Sequence, residues 1–189
     1  MEARLAVIVG LIGFATLLAQ NNKTIDVSAV SASGSTSGNR YTNSFFKLTV
    51  DAPKATLQAD PLVNVPGQRA RLVEISAKSA NWDDTYTFAV LADSLAKYPQ
   101  SLSPTQYVRS VRHQLEKEGF ATVREEFSIT IDGVSFTGAI LEEHTQSGQK
   151  YYRGLYSTFR GGYILSFDAE ASSEANLRAL LSRLVKFAK

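Results

Sequence analysis

An alternating pattern on both sides of Asp132-Gly133 constrains the fold of this chain more than any other sequence feature. From residue 123 to residue 131 the apolar side chains fall on one parity, as in a half-buried β-strand. Asp-Gly is a pair favoured in two-residue type I′ turns, because both central residues need a positive φ. The pattern therefore predicts a hairpin whose register is fixed by this turn.

That register places apolar residues or glycine on one face of the hairpin in three of its four predicted pairs. The pairs are Ile131 with Val134, Ile129 with Phe136, Phe127 with Gly138, and Glu125 with Ile140. A shift of one residue would turn the apolar set to the other face. Opposite Phe127, Gly138 leaves room for the ring to lie across bare backbone.

Two further turns extend the predicted antiparallel sheet to Ala169. A turn at Ser147-Gly148 predicts these pairs: Ile140 with Leu155, Phe136 with Phe159, and Glu142 with Arg153. The third turn, Arg160-Gly161-Gly162, fits either a three-residue loop or a two-residue Gly-Gly loop. We favour the three-residue loop, which sets Phe159, Ser157 and Leu155 against Tyr163, Leu165 and Phe167; the shorter loop would reverse that parity.

The rest of the chain supplies three more strands and two helices. Strands are predicted at Phe46 to Val50, Arg71 to Ala77 and Tyr86 to Ala92, the last two forming a hairpin around Trp82. Between Pro53 and Gly67, three prolines favour an ordered loop with room for a short strand.

Both helices have recognisable starts and apolar faces. Ser103-Pro104-Thr105-Gln106 predicts a capped helix that ends at Gly119. The second helix is predicted to begin near Ser172 or Ser173 and to carry an apolar stripe to Phe187 or Ala188. These faces should pack on the sheet.

The N-terminal part divides into an apolar segment and a polar one. Arg4 and the uncharged run Leu5 to Ala19 are typical of a secretory signal peptide, with an N-terminal membrane anchor as the alternative. Residues 20–40 are rich in Ser, Thr, Gly and Asn and predict a flexible linker. A single folded domain is then expected over residues 41–189.

Charge and cysteine content exclude several classes of function. The formal charge is only +2 and is spread along the chain, so we expect no nucleic-acid partner. There is no cysteine, which excludes disulfides, thiolate metal sites and a cysteine nucleophile. The sequence contains none of the common nucleotide-binding, zinc-protease or serine-elbow motifs.

Few residues remain that could carry chemistry. Glu142 and His144 share a strand face near Arg153, and together they could form a metal or acid-base site, although a solvated ion pair between Glu142 and Arg153 is the simpler interpretation. Asp83 and Asp84 lack the calcium-loop pattern and favour a turn. We therefore predict no catalytic residue, metal site or cofactor.

Two other residue sets have simple interpretations. His113 is expected at the surface or edge of the first predicted helix. Four tyrosines cluster in the last hairpins, where any exposed ring would suit a partner surface and a buried one would cover the core. They are Tyr151, Tyr152, Tyr156 and Tyr163.

The order of these elements resembles the PsbP/Mog family over about residues 41–189. The segments that carry the resemblance are YTNSFFKLTVDAP, ITIDGVSFTGAI, YYRGLYSTFRGGYILSFDA and the final Ser-Ser-Glu helix. The resemblance implies an α+β fold, in which a central antiparallel sheet of about six to seven strands is flanked by helices in an α/β/α sandwich. It also implies a non-catalytic binding or assembly role, and it assigns no functional residue.

Taken together, these features predict an exported, non-enzymatic accessory or binding protein that is periplasmic, lumenal or secreted. Its expected partner is a protein of unknown identity, and no membrane contact is expected beyond a possible N-terminal anchor. The alternative is a small-molecule or metal-dependent enzyme with a polar pocket near Glu142, His144 and Arg153.

Overall fold

The computed structural model describes residues 27–52, 55–58, 69–79, 81–144 and 148–188. Within these ranges, antiparallel strands form two sheets, accompanied by three α-helices. The helices are α1 (Ser28–Ala32), α2 (Pro104–Lys117) and α3 (Glu174–Leu184). The strands are β1 (Gly34–Ser37), β2 (Arg40–Asn43), β3 (Leu48–Asp51), β4 (Thr56–Gln58), β5 (Arg69–Ala77), β6 (Tyr86–Ser94), β7 (Ala121–Ile131), β8 (Val134–His144), β9 (Lys150–Arg160), β10 (Tyr163–Ala171) and β11 (Val185–Phe187).

The larger sheet has seven strands in the order β4-β5-β6-β10-β9-β8-β7, and every neighbouring pair is antiparallel. Helix α2 packs on one face through Leu115, which contacts Leu141 and Leu155. Helix α3 packs on the other face with four buried leucines: Leu177, Leu180, Leu181 and Leu184. The predicted α+β class, with a central antiparallel sheet between helical layers, is confirmed.

A second, four-stranded sheet with the order β1-β2-β3-β11 lies on the α3 side, and the sequence did not predict it. Its strand β11 brings Phe187 against the core rings of Phe136 and Phe167, at centroid distances of 6.1 and 6.4 Å. The predicted strand at Phe46 to Val50 exists as β3, but it belongs to this sheet. The face of the large sheet that carries α3 is therefore covered by a helix and a small sheet together.

The first hairpin has the predicted turn and the predicted register next to it. Asp132 and Gly133 have φ values of +44° and +82°, as a type I′ turn requires. The pairs nearest the turn are confirmed: Ile131 with Val134, Ile129 with Phe136, and Phe127 with Gly138. The fourth predicted pair is wrong, because irregularities in β7 bring Arg124, and not Glu125, opposite Ile140.

The other two hairpins are shifted by one residue from the favoured predictions. Strands β8 and β9 begin their pairing at His144 and Lys150, so five residues separate them and Arg153 lies opposite Leu141, with Glu142 opposite Tyr152. Strands β9 and β10 are joined by the two-residue Gly161-Gly162 loop, in which both glycines have positive φ. The favoured three-residue loop is wrong, and the alternative is correct.

The two longer helices begin where the sequence predicts. Ser103 accepts a hydrogen bond from the Gln106 amide, and the Gln106 side chain accepts one from the Ser103 amide, which completes the capping box. Ser173 caps α3 through the Asn176 amide. Helix α3 ends at Leu184, before the predicted end, because residues 185–187 become extended and pair with β3.

The predicted linker differs from the structure over residues 27–40, which form α1, β1 and the start of β2. Val27 and Val30 are buried in the main core. The buried Asn43 amide donates hydrogen bonds to the Val30 carbonyl at 2.9 Å and to the Tyr41 hydroxyl at 3.0 Å. Order in this segment therefore comes from contacts with β2, which its own Ser- and Gly-rich composition does not reveal.

Some predictions fall wholly or partly outside the described residues. The signal-like segment at residues 1–19 and the linker up to residue 26 lie outside them. In the loop predicted between Pro53 and Gly67, the structure describes residues 55–58, which contain the short strand β4.

Candidate functional site

The three residues considered for a polar pocket do not come together. Glu142 and His144 share one face of β8, and Glu142 pairs with Lys150 at 3.0 Å. Arg153 projects from the opposite face of the sheet and is 7% exposed. The predicted pocket of Glu142, His144 and Arg153, and the predicted pair of Glu142 with Arg153, are therefore wrong, because the register shift reverses the side on which Arg153 lies.

Arg153 is instead the centre of a buried ionic cluster on the α2 side of the sheet. Its Nε and Nη2 donate hydrogen bonds to Asp168 at 2.9 and 2.6 Å. Its Nε also lies 4.0 Å from Glu170, and its guanidinium carbon is 5.4 Å from the centre of the Phe120 ring. A bidentate guanidinium-carboxylate pair of this kind fixes both side chains in one geometry.

The cluster raises the pKa of both Arg153 and Glu170, which favours the charged arginine and the neutral glutamate. Burial alone would lower the pKa of Arg153, but the Asp168 and Glu170 carboxylates outweigh burial and raise it. Burial raises the pKa of Glu170, the charge of Asp168 raises it further, and Arg153 opposes both effects. Each charged group thus has its partner inside the cluster, which makes a structural role the simplest account.

The four clustered tyrosines do not form an exposed aromatic surface. Tyr156 and Tyr163 are buried at 0% and 8% exposure. Tyr151 and Tyr152 are half-buried, and the Tyr151 hydroxyl donates to Glu143. These rings cover the two faces of the sheet, so they offer little surface to a partner.

A cavity of about 540 Å³ lies between α3 and the segment that joins β5 to β6, and we call it the α3 cavity. One side consists of Ala77, Tyr86 and Ala171, which are neighbours across three adjacent strands. Helix α3 and residues 78, 79 and 83–85 supply the other walls. The cavity is lined by Ala77, Lys78, Ser79, Asp83, Asp84, Thr85, Tyr86, Ala171, Asn176, Ala179, Leu180 and Arg183. Its volume is within the range of small-ligand sites in proteins.

The joining segment is fastened to the start of α3 by side-chain hydrogen bonds. Ser172 Oγ donates to Asp83 Oδ1 at 2.9 Å, and Asn176 Nδ2 donates to the Asp83 carbonyl oxygen at 3.2 Å. Asn81 Nδ2 donates to Asp84 Oδ2 at 3.2 Å. The two carboxylates of the cavity therefore already accept hydrogen bonds from the protein, in agreement with their predicted place in a turn.

The two cationic side chains of the cavity have no carboxylate partner within the described part of the chain. The Arg183 guanidinium carbon lies 5.5 Å from the centre of the Tyr86 ring, a cation-π arrangement. Lys78 is exposed and, among the described residues, forms no ion pair or side-chain hydrogen bond. Burial raises the pKa of Tyr86, while the charge of Arg183 acts to lower it. The cavity thus holds two cationic groups that are available to an incoming anion.

Sequence reasoning did not single out Lys78, Tyr86 or Arg183. In the sequence, Arg183 has the simple interpretation of a cation near the C-terminal end of a helix, where it is favourable. A usable signal existed, because Asn176, Leu180 and Arg183 follow an i, i+4, i+7 spacing beside the leucine stripe. What the sequence could not supply was the segment that faces them.

The remaining charged candidates have ordinary roles in the described structure. His113 Nδ1 lies 2.8 Å from Glu116 Oε2 on the exposed side of α2. Within the described ranges, no group of three or more His, Asp or Glu side chains is arranged to hold a metal ion. Nor does any helix in those ranges have the length and apolar character needed to span a bilayer.

Comparison with known proteins gives structural resemblances only. No protein-family model matches the chain, and no curated protein matches it. Similar solved structures include cyanobacterial PsbP (CyanoP) from Synechocystis sp. PCC 6803, with 12% sequence identity, a TM-score of 0.47, and coverage of 82% of this chain and 98% of that chain. Another is LpqN of Mycobacterium tuberculosis, described as involved in cell envelope biogenesis, with 12% identity, a TM-score of 0.42, and coverage of 71% of this chain and 84% of that chain. A PsbP is thus among the structures that this chain resembles, at low sequence identity.

Proposed function

We propose that this chain is an exported, non-catalytic accessory protein that binds a partner protein through the α3 cavity. The observation that carries the proposal is the pair of cationic side chains, Lys78 and Arg183, in a concave site without carboxylate partners among the described residues. Charged groups in a concave site give specificity to a contact, because a partner without a complementary charge leaves them unpaired.

The cavity walls are suited to binding without a large rearrangement. One side belongs to the central sheet, and α3 is fixed to that sheet by its buried leucine stripe. The facing segment is attached to α3 through Ser172 and Asn176. A preorganised site loses little conformational freedom when a partner binds.

Export is supported by the N-terminal sequence. Arg4 followed by the apolar run Leu5 to Ala19 has the charge and length pattern of a signal peptide. Cell fractionation with mass spectrometry of the N-terminus tests this part of the proposal. We expect the protein outside the cytoplasm, and a cytoplasmic protein that retains Met1 would overturn the export claim.

The binding claim is tested by cross-linking in cells, followed by immunoprecipitation of the full chain. Arg183→Glu should abolish capture of the partner, because it replaces one of the two cations of the cavity by an anion. Arg178→Glu is the matched control, since Arg178 is an exposed arginine on the same helix that pairs with Glu174 and does not line the cavity. Equal capture by the wild type and the Arg183 variant would reject the cavity as the binding site.

A further inference from the structure

We infer that the α3 cavity recognises a carboxylate group, carried either by an acidic side chain of a partner or by a small free acid. This inference rests on the proposed function and names the chemistry of the bound group. It depends on a difference between the side chains that line the cavity: the aspartates accept hydrogen bonds from the protein, whereas Lys78 and Arg183 form no ion pair with a described carboxylate.

The first step is the availability of the cations. Arg183 lies over the Tyr86 ring and forms no ion pair with a described carboxylate, and Lys78 has no polar partner in the described ranges. A guanidinium edge matches the two oxygens of a carboxylate, whereas an ammonium group acts as a point charge. Arg183 can therefore hold a carboxylate by two hydrogen bonds, and Lys78 adds a positive charge to the same cavity.

The second step concerns the two acidic residues that line the same cavity. Asp83 and Asp84 accept hydrogen bonds from Ser172 and Asn81, so their oxygens are held toward the protein. They form no ion pair with Lys78 or Arg183. Their charges will weaken the binding of an anion, and they set a requirement that the ligand carboxylate lie at the Arg183 end of the cavity.

The third step is the distance along α3 between the end of the cavity that holds Asp83 and the end that holds Arg183. Asn176, which contacts Asp83, and Arg183 lie seven positions apart on the helix, which corresponds to about 10 Å of helix rise. The wall between them is made of small or apolar side chains, Ala179 and Leu180 on the helix and Ala171 on the sheet. A short aliphatic chain that ends in a carboxylate fits this distribution of charge and apolar surface.

The test is an amide NMR titration of the protein lacking residues 1–19, after its melting temperature has been shown to equal that of the full chain. Three probes are used: acetyl-Ala-Glu-Ala-amide, the same peptide with Gln in place of Glu, and butyrate. We expect saturable shifts at cavity residues with the Glu peptide or butyrate, no such shifts with the Gln peptide, and weaker binding as salt is added. Binding of the Glu peptide identifies an acidic side chain as the source, and binding of butyrate alone identifies a free acid.

Variants make the inference specific to this cavity. Arg183→Gln and Lys78→Gln should each weaken binding by about tenfold or more, because each removes a charge-assisted contact. Arg178→Gln should leave affinity unchanged. Binding by the Gln peptide, absence of binding by both acids, or full affinity in the Arg183 and Lys78 variants would overturn the inference.

The two proposals fail in different ways. If capture of a partner depends on Arg183 while no carboxylate probe binds, the carboxylate inference fails and the binding function stands. If the probes bind through Arg183 while the cross-linked partner is retained by Arg183→Glu, the protein-binding function fails and the carboxylate site stands.

Discussion

Arg153 lies directly opposite Glu170 in the β9-β10 pairing, yet it makes its two hydrogen bonds diagonally, to Asp168. Both members of this ion pair are almost fully removed from solvent, at 7% and 2% exposure. Glu170 remains 4.0 Å from Arg153 and accepts a hydrogen bond from Thr87. Asp168 therefore has a strong partner in Arg153, whereas Glu170 lies in a partly buried site and interacts with Arg153 more weakly.

The first prediction is that Asp168→Ala strongly destabilises the fold. The substitution leaves Arg153 buried without its bidentate partner, and such a loss costs about 3 to 5 kcal/mol. Urea unfolding followed by tryptophan fluorescence or circular dichroism measures the change. The triple variant Arg153→Met/Asp168→Leu/Glu170→Gln is the control and should lose less, because it removes all three charges of the cluster; a triple variant as unstable as Asp168→Ala would contradict this account.

The second prediction concerns Glu170→Gln and its dependence on pH. Because the pKa of Glu170 is raised in the folded state, the stability linked to its neutral form is present at low pH and decreases as the pH rises through the folded pKa. Gln imitates the neutral acid, so the variant should gain stability relative to the wild type as the pH rises from about 4 to 8. Unfolding free energies measured across that range test it, and a pH-independent difference would show that burial does not disfavour the Glu170 charge.

The third prediction has the opposite sign and concerns Glu116. The Thr122 hydroxyl, followed by His113 and Arg112, lowers the pKa of Glu116 to about 2. The contribution of Glu116 to the free energy of unfolding is therefore fully present above the pKa that Glu116 has in the unfolded chain, about 4.3, and is lost as the pH falls from there toward 2. A side-chain NMR titration should show a higher pKa for Glu116 in Thr122→Val than in the wild type, whereas an unchanged value would exclude the hydroxyl as the main cause.

The fourth prediction is a stability ranking at Gly133 of Gly, then Asn, then Val. Gly133 has a φ of +82°, and an added Cβ would meet no atom within 4 Å. The cost of substitution is therefore backbone strain alone, about 1 to 2 kcal/mol for Val and less for Asn, which tolerates the left-handed region better. Thermal unfolding of the three proteins measures it, and equal melting temperatures would mean that the turn can relax without loss.

The fifth prediction is that Gly138→Ala destabilises the protein through crowding and not through backbone strain. A Cβ at Gly138 would lie 2.7 Å from Tyr156 Cδ1 and 3.0 Å from Phe127 Cζ. Overpacking of this kind costs about 1 to 3 kcal/mol. The Tyr156→Leu background serves as the control, because removal of the ring should reduce the effect of the added methyl group; an equal effect in both backgrounds would contradict the contact with Tyr156.

The features that sequence predicted correctly are those fixed by neighbouring residues. Asp132-Gly133 sets its own turn, and Ser103 with Gln106 sets the start of α2. The Gly161-Gly162 turn could not be decided locally, because glycine accepts every conformation that either loop requires. The two register errors, in that loop and between β8 and β9, each reverse a strand face, and the second of them is why the sequence predicts Arg153 beside Glu142.

The second sheet and the α3 cavity could not be predicted because both depend on distant parts of the chain. Residues 34–37 are polar and small, and they are a strand only because β2 lies beside them. The cavity needs residues 78, 79 and 83–85 to face α3, and the contact between Asp83 and Asn176 is a matter of tertiary packing. Local propensity carries no information about such contacts.

The pairing of β11 with β3 also sets the order in which the molecule can be completed. Strand β3 lies near the start of the described residues, whereas its partner at Val185–Phe187 follows the last helix. During synthesis the small sheet remains one strand short until those residues have emerged, and Phe187 cannot yet cover the rings of Phe136 and Phe167. Because residues 185–187 are synthesised after every other strand of the two sheets, the core stays incompletely packed until they are available. A chain in that condition unfolds at little cost, as the proposed export would require.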